Sequence, residues 1–229
     1  MNELLSLSIF PLVLTLLAFR LGQVIQQKLK SPLLNPILVA VVIIVVFLFL
    51  TGMPAADYQA GMTSISWLLT PATICLAIPM YEQIKALRKN LPAIAAGVCT
   101  GAVSSLVMVL GFCLLMGFEQ SLTVSMLPKS ITTAIGAVLA ESVGGIPSVT
   151  TAAIIFSGIL ANILGTLLCR LFRISGEVAQ GVAFGTAGHV IATTRANELS
   201  SLTGAVSSLS LVAAGLLTAV IFPLFTRLA

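Results

Sequence analysis

Apolar runs of roughly 20 residues recur along this chain of 229 residues, and they constrain its fold more than any other feature. A helix of about 20 apolar residues spans a bilayer core, whereas membrane barrels use alternating strands of about 10 residues. Only 8% of the residues are charged, against about 25% in a soluble domain. The sequence therefore predicts an all-α fold, a polytopic transmembrane helical bundle.

Six full spans are predicted, within one integral-membrane domain over residues 1–229. They are residues 4–22, 36–50, 62–81, 91–116, 147–172 and 202–224. Two further segments, residues 120–145 and 182–199, are apolar but interrupted by Gly, Thr and charged residues. Freed backbone groups are costly in hydrocarbon unless they are buried in protein or face water. We therefore expect these two segments to be broken or re-entrant helices.

Basic residues at span ends predict the orientation, because short loops rich in Lys and Arg stay in the cytoplasm. The basic groups at 85–89 and 170–173 would both be cytoplasmic, so residues 120–145 must begin and end on the outer face. Residues 182–199 would dip in from the cytoplasm, which relates the two halves by the inverted repeat common in transporters. The alternative is that both interrupted segments span fully, giving eight crossings.

The first interrupted segment carries a compact polar group. Its members are Pro128, Lys129, Ser130, Thr132 and Thr133. A proline early in a half-helix leaves the first N–H groups of that helix free, and these groups bind anions together with the helix dipole. The lysine charge and the hydroxyls also suit a carboxylate, so we interpret the group as substrate-binding. The alternatives are that Lys129 pairs with Glu141 or extends to the membrane interface, and that the hydroxyls bond to their own helix.

The second interrupted segment holds the only histidine of the chain. Its candidate substrate-binding residues are Thr186, His189, Thr193 and Arg195. Imidazole titrates near neutral pH, so His189 would be able to couple proton movement to transport, and a guanidinium holds a carboxylate through two parallel hydrogen bonds. The alternatives are that His189 is a hydrogen-bonded packing residue and that Arg195 forms an ion pair with Glu198.

Several Pro and Gly residues are predicted to break helices or to act as hinges. They are Pro71, Pro79, Pro128, Gly136, Gly144, Gly185 and Gly188. Proline removes a backbone donor, and glycine permits turns and close approach. Thr73 lies between the two prolines of the 62–81 span and joins the substrate-binding set. For this span the alternative is a kink that only eases helix packing.

The remaining features point away from catalysis, metals and nucleic acid. The sequence has no H-E-x-x-H, paired-carboxylate or nucleophile motif, so we predict no enzyme activity, catalytic residue, cofactor or metal site. Its four cysteines are scattered and form no C-x-x-C pair. The net charge of +4 comes from small basic groups at span ends, which act as orientation signals, so nucleic acid is not a predicted partner.

Two function classes fit these observations. A secondary carrier of small monocarboxylates, with or without proton coupling, would use both polar groups as one site. A holin-like pore, or a regulator of one, needs an amphipathic lining and oligomerisation but no convergent Lys, His and Arg side chains.

Three stretches resemble the LrgB/CidB family of bacterial membrane proteins, and the resemblance covers essentially the whole chain. They are L-L-T-P-A-T-I-C-L-A-I-P-M-Y at 68–81, L-P-K-S-I-T-T-A-I at 127–135 and G-T-A-G-H-V-I-A-T-T-R-A at 185–196. The resemblance implies a multi-pass protein of the bacterial inner membrane that works with a small LrgA/CidA-type membrane protein.

The resemblance also implies the two functions. Family members were first described as murein-hydrolase exporters or antiholin-like regulators of autolysis, while a plastid relative is similar to a glycolate/glycerate carrier and some bacterial relatives look like pyruvate carriers. The family is similar to the cation/proton-antiporter and bile-acid-transporter group, which implies broken crossing helices and a homodimer or higher oligomer. The resulting expectation is a carrier of glycolate-, glycerate- or pyruvate-like substrates, with an antiholin-like protein as the alternative.

Overall fold

The computed structural model describes residues 9–29 and 36–229, and within these residues the regular structure is entirely α-helical. The predicted all-α membrane bundle is therefore confirmed. The chain forms two compact units, Met1–Cys75 and Leu76–Ala229. The single domain proposed for the whole chain stays a prediction.

The first unit is built from two long helices and three short ones. They are α1 (Phe10–Leu29), α2 (Pro36–Thr51), α3 (Ala55–Gly61), α4 (Thr63–Ser66) and α5 (Leu69–Cys75). Helices α1 and α2 pack closely because Gly22 has no side chain, and a Cβ there would lie 2.6 Å from the Pro36 carbonyl oxygen. The hydroxyls of Thr15 and Tyr58 are 2.6 Å apart and join α1 to α3.

The second unit contains the remaining helices. They are α6 (Ala77–Glu82), α7 (Ile84–Met116), α8 (Gln120–Met126), α9 (Thr133–Glu141), α10 (Pro147–Leu171), α11 (Glu177–Leu199) and α12 (Ser201–Thr226). Four helices of the described chain, α1, α7, α10 and α12, are long and apolar enough to cross a membrane.

The predicted count of six spans is not confirmed. Helix α2 has only 16 residues, and residues 4–8 of the first predicted span lie outside the described residues. The predicted 62–81 span is divided into α4, α5 and α6, with turn residues at 67–68 and at 76. Pro71 and Pro79 cannot donate to the carbonyls of Trp67 and Cys75, four residues earlier, so each proline removes the bond that would carry the helix through these positions.

Residues 120–145 double back, as the contacts of α8 and α9 with α10 show. In the first arm, the Ser125 hydroxyl accepts a bond from the Ile146 N–H at 2.6 Å, and the Lys129 carbonyl accepts one from the Ser157 hydroxyl at 2.6 Å. Residue numbers rise together along these two pairs, so α8 runs in the same direction as α10.

The second arm of this segment runs the opposite way. A Cβ on Gly136 would lie 2.6 Å from Cδ1 of Ile154, and the Gly145 N–H donates to the Ala140 carbonyl at 2.8 Å. Numbers now rise along α9 from Gly136 to Ala140, as their neighbours fall from Ile154 of α10 to Gly145 in the turn that precedes α10. The chain therefore reverses in the non-helical residues 127–132, which we call turn I. Residues 120–141 form hairpin I.

Helix α11 also reverses, at His189, whose backbone angles of φ 42° and ψ −137° are not helical. Before His189, a Cβ on Gly181 would lie 2.7 Å from Cβ of Val206, and one on Gly185 would lie 2.8 Å from Cβ of Ser210. These pairs ascend together, so the first arm of α11 is parallel to α12.

After His189, residue numbers rise along α11 while those of their neighbours on α12 fall. The hydroxyls of Thr193 and Ser207 are 2.8 Å apart, and Asn197 fills the space beside Gly204. The second arm is therefore antiparallel to α12. We call residues 177–199 hairpin II. Both interrupted segments thus reverse direction within the protein, and that they are re-entrant in the membrane stays a prediction, as does the alternative of eight crossings.

The first arm of hairpin II also gives the relative direction of α7 and α10. Its contacts ascend along α7 and descend along α10, so these two helices are antiparallel. The pairs are Gly97–Val182 and Gly101–Thr186 on α7, and Gly165–Phe184 and Ala161–Gly188 on α10. Each long helix is thus followed by a hairpin that enters from that helix's own C-terminal end, and the two hairpins enter from opposite ends.

The two predicted basic groups lie at one end of this unit. The Gln83 side chain donates to the Ser201 hydroxyl at 3.2 Å, and Leu87 packs in one cluster with Val178 and Leu202. The N-terminal end of α7 therefore adjoins both ends of hairpin II, which begins just after the basic residues at 170–173.

We expect Glu119→Cys and Glu141→Cys to be labelled by an impermeant maleimide from one face of the membrane and Arg173→Cys from the other. Glu119 directly precedes hairpin I and Glu141 is its last residue, and the two ends of the hairpin meet at one end of the unit. The background should carry Ser at the two exposed cysteines, Cys75 and Cys99. Labelling of Glu119→Cys and Glu141→Cys from opposite faces would show that residues 120–141 cross the membrane.

Candidate functional site

The two reversals meet on a single turn of α10. The Ser157 hydroxyl donates to the carbonyl of Lys129 in turn I at 2.6 Å, and Nε2 of His189 lies 2.9 Å from the Ile154 carbonyl. Ser157 is close to the middle of α10, which runs from Pro147 to Leu171. The tips of hairpins entering from opposite ends therefore converge near the middle of the long helices.

Lys129 has a positive charge and no carboxylate partner. Its Nζ contacts the Ser130 hydroxyl at 3.2 Å, and its side chain is partly buried. Across residues 9–29 and 36–229 the one ion pair is that of Arg195 with Glu198. The alternative pairing of Lys129 with Glu141 is therefore absent, and Glu141 is exposed.

A small cavity lies between turn I, α7, hairpin II and α12. Its volume is about 10 Å³, roughly the space for one water molecule. Ser and Thr residues from four elements line it. They are Ser105, Ser130, Thr186 and Thr218. The Ser105 and Ser130 hydroxyl oxygens are 2.8 Å apart, which joins turn I to α7.

Ser105 and Thr218 are absent from the set predicted from sequence. Each lies within a long apolar helix that has no break at that position, where a hydroxyl ordinarily bonds its own backbone. No local signal in the sequence distinguishes them from the other Ser and Thr residues of these helices. Ser105 gains its position at the cavity only because Ser130 lies against it.

The backbone of His189 lies in a region of φ and ψ that non-glycine residues rarely adopt. Its side chain is buried. The Ile154 carbonyl can only accept, so Nε2 donates in their hydrogen bond. Gly158 makes room for the ring, because a Cβ there would lie 2.7 Å from Nε2. Thr193 donates to the His189 carbonyl at 2.8 Å and so supports the break.

Thr132 and Thr133 lie where turn I passes into α9. Thr132 precedes the helix with extended backbone angles, and Thr133 is its first residue. The N-terminal end of α9, where the helix dipole is positive, therefore adjoins Lys129. Thr186 donates to the Val182 carbonyl at 2.7 Å, which is the back-bonding alternative, and it also lines the cavity.

Arg195 lies away from this convergence. Its Nε donates to the Thr166 hydroxyl at 3.3 Å, and its NH1 pairs with Glu198 at 2.6 Å. Thr166 is about 13 Å further along α10 than Ser157 at 1.5 Å per residue. The ion-pair alternative is thus what the structure shows, and substrate binding by Arg195 stays a prediction.

Two of the glycines predicted to break helices lie within helices instead. Gly136 and Gly185 are inside α9 and α11, where the missing side chain lets neighbours approach closely. Pro128 lies in turn I, Gly188 directly precedes the break at His189, and Gly144 has φ 81° in the turn after α9. The hinge roles stay predictions.

Thr73 belongs to α5 in the other unit, and its side chain is not among those described. Its predicted part in substrate binding stays a prediction, as do the functional parts of Pro71 and Pro79.

Comparison with known proteins gives one family. The model of the LrgB-like family matches residues 15–228. Two similar curated proteins, from two strains of Staphylococcus epidermidis, are each named "Holin-like protein CidB". Each is 33% identical over 228 residues, which cover 100% of this chain and 99% of the relative. No solved structure matches the chain.

Gly158→Ala should lower the apparent melting temperature in detergent by several degrees. The added Cβ would collide with the His189 ring, an overpacking that costs about 1–3 kcal/mol and outweighs the gain of about 1 kcal/mol in helix propensity. Gly111→Ala in α7 is the matched control, because a Cβ there meets nothing within 4 Å. Equal melting temperatures for the two variants would contradict this packing of His189.

Proposed function

The chain belongs to the LrgB-like family, and we propose that it is a carrier of small monocarboxylates that bind at Lys129, where the two hairpins meet. The substrates would resemble glycolate, glycerate or pyruvate. We assign the binding set to Lys129, Ser130, Thr132 and Thr186, with His189 beside it, and no catalytic step, cofactor or metal to the protein.

The observation that carries this proposal is the unpaired charge of Lys129. An ammonium withdrawn from water is costly unless an anion compensates it. Among the described residues, the Lys129 ammonium donates only to a neutral group, the Ser130 hydroxyl. A carboxylate arriving from solution would supply the missing charge, and the Ser130 hydroxyl with the N-terminal end of α9 would supply donors.

The arrangement of the hairpins supports a carrier. Two interrupted segments, entering from opposite ends and meeting near the middle, are a common plan for alternating access. The site would be reached from either face as one hairpin moves against the other. Gly144, beside hairpin I, and Gly188, beside the His189 break, are the hinges we propose for this movement.

A second candidate is a holin-like or antiholin-like protein that modulates murein-hydrolase export or autolysis. The names of both relatives favour this function over the carrier, whereas the convergent polar site favours the carrier. In either case we propose a multi-pass protein of the bacterial inner membrane, with its basic end in the cytoplasm. The proposed partners are a small LrgA/CidA-type membrane protein and further copies of this chain, as a homodimer or higher oligomer.

Lys129→Met should reduce uptake of labelled pyruvate and glycolate into proteoliposomes by on the order of 10- to 100-fold, since it removes the charge opposite the carboxylate. Lys129→Arg keeps the charge and should retain part of the uptake. The control is Lys85→Met, which removes an exposed lysine at the basic end. Equal uptake by the Lys129→Met and Lys85→Met variants would contradict the binding role of Lys129.

Calcein trapped in the same proteoliposomes should stay inside while pyruvate uptake saturates with concentration. A carrier closes behind its substrate, so a bulky dye cannot follow it. Release of calcein, with pyruvate influx that does not saturate, would identify a holin-like pore instead. The two readouts are taken from one preparation, with empty liposomes as the control for leakage.

A further inference from the structure

We propose that Ser157 is a positioning residue that couples the two hairpins, so that a change in the position of Lys129 changes the position of His189. The inference rests on the proposed function in that Lys129 is the anion-binding group. The coupling itself is a property of the fold.

The Ser157 hydroxyl lies between two carbonyls. Its Oγ is 2.6 Å from the Lys129 carbonyl oxygen and 2.9 Å from the Ile154 carbonyl oxygen of its own helix. The Ile154 carbonyl is also the acceptor for Nε2 of His189 at 2.9 Å. Four groups therefore form one continuous chain from turn I, through one turn of α10, to the break in hairpin II.

A serine hydroxyl has a single proton, so Ser157 donates to only one of these carbonyls at a time. When it donates to Lys129, turn I is held against α10 and the Ile154 carbonyl serves His189 alone. When it donates to Ile154, turn I is released and that carbonyl is shared between Ser157 and His189. The hydroxyl thus has two hydrogen-bonding arrangements. Changing from one to the other alters a bond to turn I of hairpin I and a bond to His189 of hairpin II.

Packing strengthens the same link. Cδ1 of Ile154 fills the space beside Gly136 in the second arm of hairpin I, and Gly158 lies against the His189 ring. Residues 154–158 are consequently in contact with both hairpins through side chains as well as hydrogen bonds. A rigid helical turn that two mobile elements share transmits the displacement of one to the other.

The consequence concerns the transport cycle. An anion that binds Lys129 and draws turn I toward itself would pull on the Ser157 bond and change the competition at the Ile154 carbonyl. His189 would then move or stay according to whether the site is filled. Ser157 would therefore affect how tightly the anion is held without touching the anion.

The test measures the distance between spin labels on the two hairpins, at Ala134→Cys and Ala187→Cys. Both positions are exposed, and Ser replaces the exposed Cys75 and Cys99. The buried Cys113 and Cys169 are checked for labelling in the chain without engineered cysteines. We expect one narrow distance distribution in the parent protein and a broader one in Ser157→Ala.

Two pairs of variants separate the effect of the Ser157 hydroxyl from the effect of side-chain shape at this position. Ser157→Thr keeps the hydroxyl and should restore the narrow distribution, whereas Ser157→Val has nearly the shape of the threonine variant and should not. Ser104→Ala is the matched control, because this exposed serine on α7 also bonds three residues back, to Gly101, at 3.1 Å. The Ser157→Val and Ser157→Thr pair decides the question if Ser157→Ala fails to fold.

Uptake measurements supply the second readout. Ser157→Ala should raise the KM for pyruvate by roughly 2- to 10-fold, the effect of one lost hydrogen bond, with a smaller change in the maximal rate. Distances and KM that are unchanged in both Ser157→Ala and Ser157→Val would overturn the proposal. Broadened distances in a protein that takes up no pyruvate would uphold the coupling and refute the carrier function.

Discussion

The structure depends on a simple constraint: inside a bilayer every backbone N–H and C=O must find a partner within the protein. A helix satisfies its own groups, but a hairpin tip does not. This chain places two such tips among long helices, and neighbouring hydroxyls complete the bonds. Ser157 serves the Lys129 carbonyl, Thr193 serves the His189 carbonyl, and Ser125 receives the Ile146 N–H. These hydroxyls therefore form part of the backbone bonding at the breaks.

Close approach of helices is the second requirement. The hairpins reach α7, α10 and α12 because glycines face them at the points of contact. A Cβ on Gly158 would collide with the His189 ring, and one on Gly185 of hairpin II would collide with the backbone of α12. A Cβ on Gly101 would crowd the Thr186 hydroxyl at 3.1 Å. With little apolar driving force between helices in lipid, such close packing and the hydrogen bonds it permits hold the unit together.

An unpaired lysine at this convergence destabilises the fold through its desolvation cost, and we interpret its presence as functional. A purely structural hairpin tip would be more stable with an apolar residue or with a paired charge. The family relationship covers the whole chain, and its curated members are named for a holin-like role. A carrier and a holin-like protein differ in whether a passage closes around a bound solute, and our proposal assigns the convergent site to the first kind.

Hydropathy and charge count in the sequence were enough to determine the class of the protein, and its prolines marked breaks that the structure shows. The helix is interrupted at Trp67–Leu68 and at Leu76 because Pro71 and Pro79 cannot donate to the carbonyls of Trp67 and Cys75, a local effect that needs no tertiary information. The positions of Lys129 and His189 in interrupted segments, and the reversal of both segments, also follow from polar residues and basic ends. Only the tertiary structure decided which residues contact the breaks and the cavity. These contacts are those of Ser105, Ser157 and Thr218, the ion pair of Arg195 and the packing of Gly136. Each of these depends on the register between segments far apart in the chain, and register is set by how surfaces pack rather than by any local pattern of residues.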